Sequence, residues 1–341
     1  MQVLFFIGNG FDLNVGLHTQ FRDVLSCYIK EQTNDPQILA FKNDINKNFD
    51  NWSSFEKQMG VYTENFSHDT DAASDIITFD RCISDFYKFL HKYLTGEENK
   101  AAYTNVKEIE DVFMASVINF QQYLENVPNE KITKMFRIDT VNFDFINFNY
   151  TKIFDKCINI LKNSISYAKI NKKINTTNLN VTSRYLREVF HIHGTLTNKM
   201  ALGVDNKDQI RNPAFRSFAL INSRIKPLAN TSLENGNNQT MTKLINTSDI
   251  YCIFGMSIGS TDKTWWIAIA NQLIANQMKR LVIFWHDDTV NPIFIDGIIA
   301  TNDMIITLFC KEANLSDEQK NIIEGRIHIA INKEIFKIKL C

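Results

Sequence analysis

The chain has no two cysteines close enough in sequence to act together. Its six lie at 27, 82, 157, 252, 310 and 341, which excludes a Cys-x-x-Cys redox pair or a zinc knuckle and reads as reduced, mostly buried thiols. There is no excess of one charge either. With 37 Lys and Arg against 38 Asp and Glu the net charge is -1, so nothing draws the whole molecule to nucleic acid or to a membrane, and any such binding must be local. Long apolar runs are also missing. The run Val3 to Ile7 is far too short for a signal peptide or a membrane span, and no basic segment precedes it. Reduced thiols without a leader give the expectation of a cytoplasmic protein. What is present, 44% hydrophobic and 22% charged residues over 341 positions, describes a soluble globular chain of one large or two ordinary domains.

The first sixteen residues organise the rest. Val3 to Ile7 reads as a buried strand, and Gly8-Asn9-Gly10-Phe11-Asp12 follows at once, with Gly16 a little further on. Glycine there lets backbone N–H groups approach a ligand closely, and a helix beginning near Phe11 would turn its positive end toward an anion such as a pyrophosphate. The third glycine of the Rossmann fingerprint is replaced by Leu13, and no Gly-Lys-Ser/Thr ending exists, so a purely structural turn remains open.

Beyond the turn the pattern is helical for more than a hundred residues. Phe21-Val24-Leu25-Tyr28, Phe79-Cys82-Ile83-Phe86-Phe89-Leu90-Tyr93 and Val112-Phe113-Val117-Phe120-Leu124 recur at three and four residues, with a solvated loop expected over Glu64 to Asp75. This predicts a helical insertion over 21–136 and a core made of 1–20 and 137–341. Strands are expected at Thr140 to Phe148, Val189 to Thr195, Ile250 to Phe254, Leu281 to Trp285 and Met304 to Phe309. A closing hairpin is expected from Arg326 to Ile331 and Ile335 to Leu340. Asn222 to Ser248, polar and turn-rich, reads as a surface loop. Thr151 and Asp262 stand where each could cap a following helix. Residues 156–187 carry basic groups and no Asp or Glu around an Asn/Thr-rich middle from Asn171 to Asn180; they read as a solvated connection or as a local contact to a phosphate backbone.

Four of these strands end in small or polar signatures: Gly8-Asn9-Gly10, Asn149-Tyr150, His193-Gly194 and Gly255 to Asp262. In a parallel sheet all carboxyl ends share one rim, so the four would gather in one crevice. His191 and His193 share a strand face, yet no third ligand stands at a metal-binding spacing, and no metal is expected.

Phe5 to Phe21, Phe148 to Thr151, His191 to Leu196 and Ile253 to Asp262 together resemble the AbiH family of bacterial abortive-infection, phage-defence proteins, over nearly the whole chain. More distantly, the strands that bear them resemble the sirtuin-like NAD-binding fold. The resemblance implies an α/β, Rossmann-like parallel sheet of sirtuin-like type, with a large helical insertion after the first βα unit. It also implies NAD as substrate, with Gly8, Asn9 and Gly10 as the diphosphate turn and Phe11 and Asp12 beside them. Asn149 would hold water or the ribose, His193 would be the catalytic histidine, and Gly255, Ser257 and Asp262 would line the adenosine side. The four-cysteine zinc module of protein-deacylating sirtuins is missing, which leaves simple cleavage of NAD.

That chemistry suits these residue types. Breaking the nicotinamide–ribose bond builds positive charge at the anomeric carbon and needs a held ligand, a positioned nucleophile and a nearby base, without a metal. His193 is suited to be the base and Asn149 to hold the water. The bland alternatives are a helix-capping Asn149 and a core His193. The sequence thus reads as a phage-defence effector that hydrolyses NAD, expected to be a homo-oligomer answering to a phage-derived trigger. The competing readings are a module that senses NAD or ADP-ribose without turnover, and a nuclease, which lacks a clustered carboxylate motif.

Overall fold

The computed structural model describes residues 1–48, 52–66, 72–136, 140–171, 183–232, 237–291 and 294–341. Six strands, β1 (Gln2–Ile7), β2 (Thr140–Asn147), β3 (Ser183–His191), β4 (Ile250–Phe254), β5 (Arg280–Trp285) and β6 (Ile327–Ile331), form one sheet in the order β3-β2-β1-β4-β5-β6. Every pairing is parallel, with Phe5 of β1 level with Phe145 of β2 and Cys252 of β4. The order reverses between β1 and β4, so the topological switch point of this α/β fold lies at their carboxyl ends.

Alternation along the strands divides the core into two layers, as side chains of period two must. Val3, Phe5 and Ile7 join Phe143, Phe145 and Val282 on one face. Leu4, Phe6, Ile146, Tyr251 and Ile283 pack on the other, beneath helices Asn237–Thr247, Lys263–Ala275 and Ile295–Glu312. Because both faces are covered, β1 is fully buried from Val3 to Ile7, which is why it reads as an unbroken apolar run rather than an alternating one. A third core is helical. It joins Phe21, Phe55, Phe79 and Phe86 to Leu196, Val204, Phe215 and Ile225, whereas Ile109, Phe113, Phe120 and Phe136 belong to the first sheet face. Residues 21–136 therefore feed two cores, and among the described residues between β1 and β2 only helices occur.

Several expectations are corrected. Met304 to Phe309 is the interior of helix Ile295–Glu312, where Ile305 and Phe309 are buried one turn apart; a short apolar run alone does not separate strand from helix. Only the first arm of the expected hairpin exists. β6 pairs with β5, and Ile335 to Leu340 runs irregularly beneath the sheet, with the Leu340 amide donating to Val15 O and Phe336 packed on Phe11 and Phe254. Asn222 to Ser248 holds helices Lys226–Ser232 and Asn237–Thr247. Their polar composition hides Met241 and Ile245, which are buried one turn apart. Residues 233–236 in that stretch lie outside the described residues. The third strand begins at Ser183 and ends at His191, so His193 stands beyond its end. Met114–Ile118 forms a π-helical turn and Phe120–Tyr123 a 3-10 turn, in place of a continued α-helix. The loop expected over Glu64 to Asp75 is shorter: residues 67–71 lie outside the described ones and the next helix begins at Ala72.

Most of the polar middle of 156–187 also lies outside the described residues. Of the basic groups around it, Lys162 pairs with Glu188 at 2.7 Å, Arg184 donates to Phe136 O and Arg187 donates to Asn142 Oδ1. All six cysteines are free thiols, four of them buried. Among the described residues no helix is long and apolar enough to cross a membrane.

Candidate functional site

The rim of the sheet is built on contact between two glycine turns. After β1 the chain turns at Gly8 and enters the short helix Gly10–Asn14; after β4 it turns at Gly255 with φ +68°, a left-handed conformation that favours glycine. The Gly8 amide donates to Phe254 O at 2.9 Å, the Gly10 amide to Gly255 O at 2.8 Å and the Phe11 amide to Gly8 O at 2.9 Å. The amides of Gly8 and Gly10, placed by sequence on a diphosphate, and that of Phe11 beside them thus have partners within the protein. Asn9 is tied to Thr19 by two hydrogen bonds, its Nδ2 donating to the Thr19 carbonyl and its Oδ1 accepting from the Thr19 hydroxyl, each 2.8 Å. Phe11 is a core residue, in edge-on contact with Phe113, Phe154 and Phe336.

Asp12 faces the carboxyl end of β2. Its Oδ2 accepts from Thr151 Oγ1 at 2.7 Å and its Oδ1 from Asn149 Nδ2 at 3.2 Å. Asn149 Nδ2 also donates to Gly8 O at 3.1 Å, so this amide braces the β1 turn. Asp12 is 2% exposed, and desolvation pushes its carboxyl up to about 7 in spite of the two hydrogen bonds; the Glu98 charge acts in the same direction. Thr151 is therefore no cap: helix Ile153–Lys162 starts after Lys152 without a side-chain cap, and the hydroxyl is directed at Asp12 instead. His191 closes this side, with Nδ1 2.9 Å from Asn149 O and Nε2 3.0 Å from both Asp155 oxygens.

The second half of the site gathers around Lys226. Its Nζ lies 2.9 Å from Asp262 Oδ1 and 3.0 Å from Glu56 Oε2, and all three side chains are largely withdrawn from water. Two carboxylates sharing one ammonium leave one negative charge in excess, and the two acids divide unequally. Burial pushes Glu56 up to about 7, while Lys226 and His193 hold Asp262 below the ordinary carboxylate range against the opposing effect of its own burial. Its two carboxylate partners raise Lys226 although burial alone would lower it. Asp262 precedes helix Lys263–Ala275 without capping it by its side chain, because the carboxylate is turned to Lys226.

His193 is 6% exposed, its Nε2 3.5 Å from Asp262 Oδ1 and its ring edge-on to Phe148 at 5.3 Å. Neither ring nitrogen has a hydrogen-bond partner among the described residues. Burial lowers its basicity, and Asp262 only partly offsets that, so the ring is neutral. The turn after it is firmly held. Gly194 takes φ +79°, the Ala201 amide donates to His193 O at 2.8 Å, Tyr150 Oη donates to Ala201 O at 2.8 Å and His91 Nε2 meets Leu196 O at 2.8 Å.

The structure thus brings Gly8, Asn9, Gly10, Asp12, Asn149, His193, Gly255 and Asp262 to one rim. Ser257 is exposed and Phe11 belongs to the core. Lys226, Glu56, Thr151, His191 and Asp155 complete the arrangement and were not assigned to it from sequence. Thr151 and His191 stand inside the motifs already recognised, whereas Lys226 and Glu56 sit in unremarkable polar stretches. A cleft of about 610 Å³ opens beside the turn that follows His193, between Tyr87, Lys88 and His91 and the residues Thr195, Thr197 and Lys199. Its walls do not include Asp12, Asn149 or Asp262, whose side chains are withdrawn from water and do not line the cleft. Among the described residues no group of three or more His, Cys, Asp or Glu is placed to hold a metal ion.

A family model described as bacteriophage abortive infection AbiH matches residues 4–285, which takes in β1 from Leu4 onward, β2 to β5 and every rim residue named above. No curated protein matches the chain.

Proposed function

Because the chain belongs to the bacteriophage abortive infection AbiH family, with a role in phage abortive infection, we propose that its rim is the working site of the defence effector and that it cleaves NAD. The observation that carries this reading is His193: buried, neutral, its Nδ1 without a partner among the described residues and its Nε2 backed by Asp262 at 3.5 Å, beside the switch point where α/β sheets of this order take their ligands. With its Nε2 proton directed at Asp262, Nδ1 is the nitrogen that carries the lone pair. The bond from the ribose anomeric carbon to nicotinamide breaks and nicotinamide leaves with the electron pair. Water adds to the anomeric carbon and its proton passes to Nδ1. Asp262 then stabilises the imidazolium, and ADP-ribose is the second product. No metal enters this scheme.

Asn149 has a narrower part than its motif implies. Its Nδ2 is engaged by Gly8 O and Asp12, so the atom left for water or a ribose hydroxyl is Oδ1, which has no hydrogen-bond partner among the described residues. Asp12, Asn149 and His193 are each 6% exposed or less, so entry of a dinucleotide requires helices Trp52–Tyr62 and Lys226–Ser232 to part from the rim, and a phage-derived trigger would act on that step. The engagement of Asn149 Nδ2 by Gly8 O and Asp12, which narrows its part in holding water, favours a second reading, a module that binds NAD or ADP-ribose without turnover. In neither reading are the engaged amides of Gly8, Gly10 and Phe11 the diphosphate contacts. Product analysis on the purified protein, with and without lysate of infected cells, separates the two: free nicotinamide appears only with cleavage. Bound NAD recovered intact in both conditions would overturn the hydrolytic reading.

A further inference from the structure

Besides His193, one other buried side chain, on the helix that carries Lys226, has both polar atoms unengaged among the described residues. Asn230 is 1% exposed, and neither its Nδ2 nor its Oδ1 has a partner. A buried donor or acceptor left unmade costs about 1–3 kcal/mol, and native proteins seldom keep two on one side chain without a use for them. Asn230 stands on helix Lys226–Ser232 one turn after Lys226, and residues four apart share a helix face. That face is the buried one, since Lys226 and Asn230 are withdrawn from water while Thr231 is exposed. Lys226 reaches from it to Asp262, the residue beside His193.

We propose that Asn230 reads the carboxamide of the nicotinamide ring, an assignment that rests on the NAD reading above. An asparagine amide offers an N–H donor and a carbonyl acceptor side by side. A primary carboxamide offers the complementary pair, so the two groups form reciprocal hydrogen bonds with no charge involved. A carboxylate in the same place would set an acceptor against Asn230 Oδ1 and leave one bond unmade. Lys226 does not favour the acid, because Asp262 and Glu56 already surround its ammonium. Asn230 therefore sets the preference for nicotinamide over nicotinic acid at this site.

Free nicotinamide and nicotinic acid, added to the full-length protein as inhibitors of NAD cleavage, test this without any substitution. Nicotinamide should inhibit at about tenfold lower concentration or better, the size expected for one or two neutral hydrogen bonds. Asn230→Leu, which has the same branching without the polar atoms, should raise the KM for NAD by a similar factor and bring the two inhibitors level. Its melting temperature should be no lower than that of the wild-type protein, because the unmade donor and acceptor are gone. Equal inhibition of the wild-type protein by both compounds, or an undiminished preference in a folded Asn230→Leu protein, would overturn the assignment while leaving NAD cleavage intact. A wild-type protein that releases no nicotinamide overturns the NAD reading instead. Calorimetry with nicotinamide alone then decides Asn230: binding that Asn230→Leu abolishes sustains it, and no binding to the wild-type protein removes it.

Discussion

Gly10 and Gly255 meet backbone to backbone: a Cβ on Gly10 would lie 2.5 Å from Gly255 Cα, and one on Gly255 2.8 Å from Gly10 Cα. Neither position has a flexible side chain that could yield, so Gly10→Ala should lower stability by about 1–3 kcal/mol through overpacking. Gly255→Ala should lower it further, because φ +68° adds roughly 1–2 kcal/mol for a residue with a Cβ. Gly96→Ala is the control. It sits in helix Ala72–Glu98 with nothing within 4 Å of an added Cβ, and it should raise stability by about 0.5–1 kcal/mol. Thermal melts of the three variants check this; a Gly10→Ala protein as stable as Gly96→Ala would show that the two turns do not bear on each other.

Lys226→Met should be among the most destabilising single changes in the molecule, since it strands Asp262 and Glu56 without their shared cation. Removing one partner of a buried ion pair costs about 3–5 kcal/mol. Adding Glu56→Gln to Lys226→Met should recover part of the loss, because Glu56, which without Lys226 must take up a proton to stay buried, is then replaced by a neutral side chain. Chemical denaturation of the single and double variants measures this, and a double variant no more stable than Lys226→Met alone would mean that Glu56 does not share the charge.

The strands were legible where burial on both faces leaves an unbroken apolar run, as in Val3 to Ile7 and Ile250 to Phe254, and the rim motifs followed because a parallel sheet puts its carboxyl ends together. The order of the strands was not, since it depends on crossovers that leave no local mark. Ile335 to Leu340 alternates like a strand, yet Ile335, Phe336, Ile338 and Leu340 are buried because they fill the space beneath Phe11. At the site, Asn149 and His193 stood out through their positions at strand ends. Lys226 and Glu56 could not, because they are 170 residues apart and become a pair only through the fold. Thr151 and Asp262 occupy positions that would suit a cap, and tertiary partners took the side chains elsewhere.

Asp12 gives the protein a pH dependence of definite sign. Its carboxyl titrates at about 7 when folded and near 4 when unfolded, so between those values the folded state keeps a proton that the unfolded chain has released. Stability from this group therefore falls as pH rises from about 4 to about 7. Asp12→Asn keeps an acceptor for Asn149 and offers Thr151 a donor, and it should remove that slope. Glu56, raised in the same direction, and His193, lowered in the other, contribute equally to both proteins and cancel in the difference. Denaturation midpoints compared across this range decide it. Parallel curves for the two proteins would place Asp12 at an ordinary carboxylate value.

Asn149 and His193 should separate on substitution. Asn149→Ala removes the two hydrogen bonds that hold Gly8 O and Asp12, so it should lower stability by about 1–3 kcal/mol, and its activity should fall partly as folded protein is lost. His193→Ala gives up the Phe148 contact and the 3.5 Å approach of Nε2 to Asp262, with no other ring partner among the described residues, and should lower the melting temperature by no more than a few degrees. As the base, it should nevertheless reduce nicotinamide release by about a hundredfold or more, the usual contribution of a positioned proton acceptor. Asp262→Asn, which leaves the ring without its anionic neighbour, should give a smaller loss of turnover together with lower stability, because Lys226 then loses one of its two carboxylates. Melting temperature and turnover measured on the same preparations distinguish these patterns. A His193→Ala protein that melts normally and releases nicotinamide at the wild-type rate would remove His193 from the chemistry.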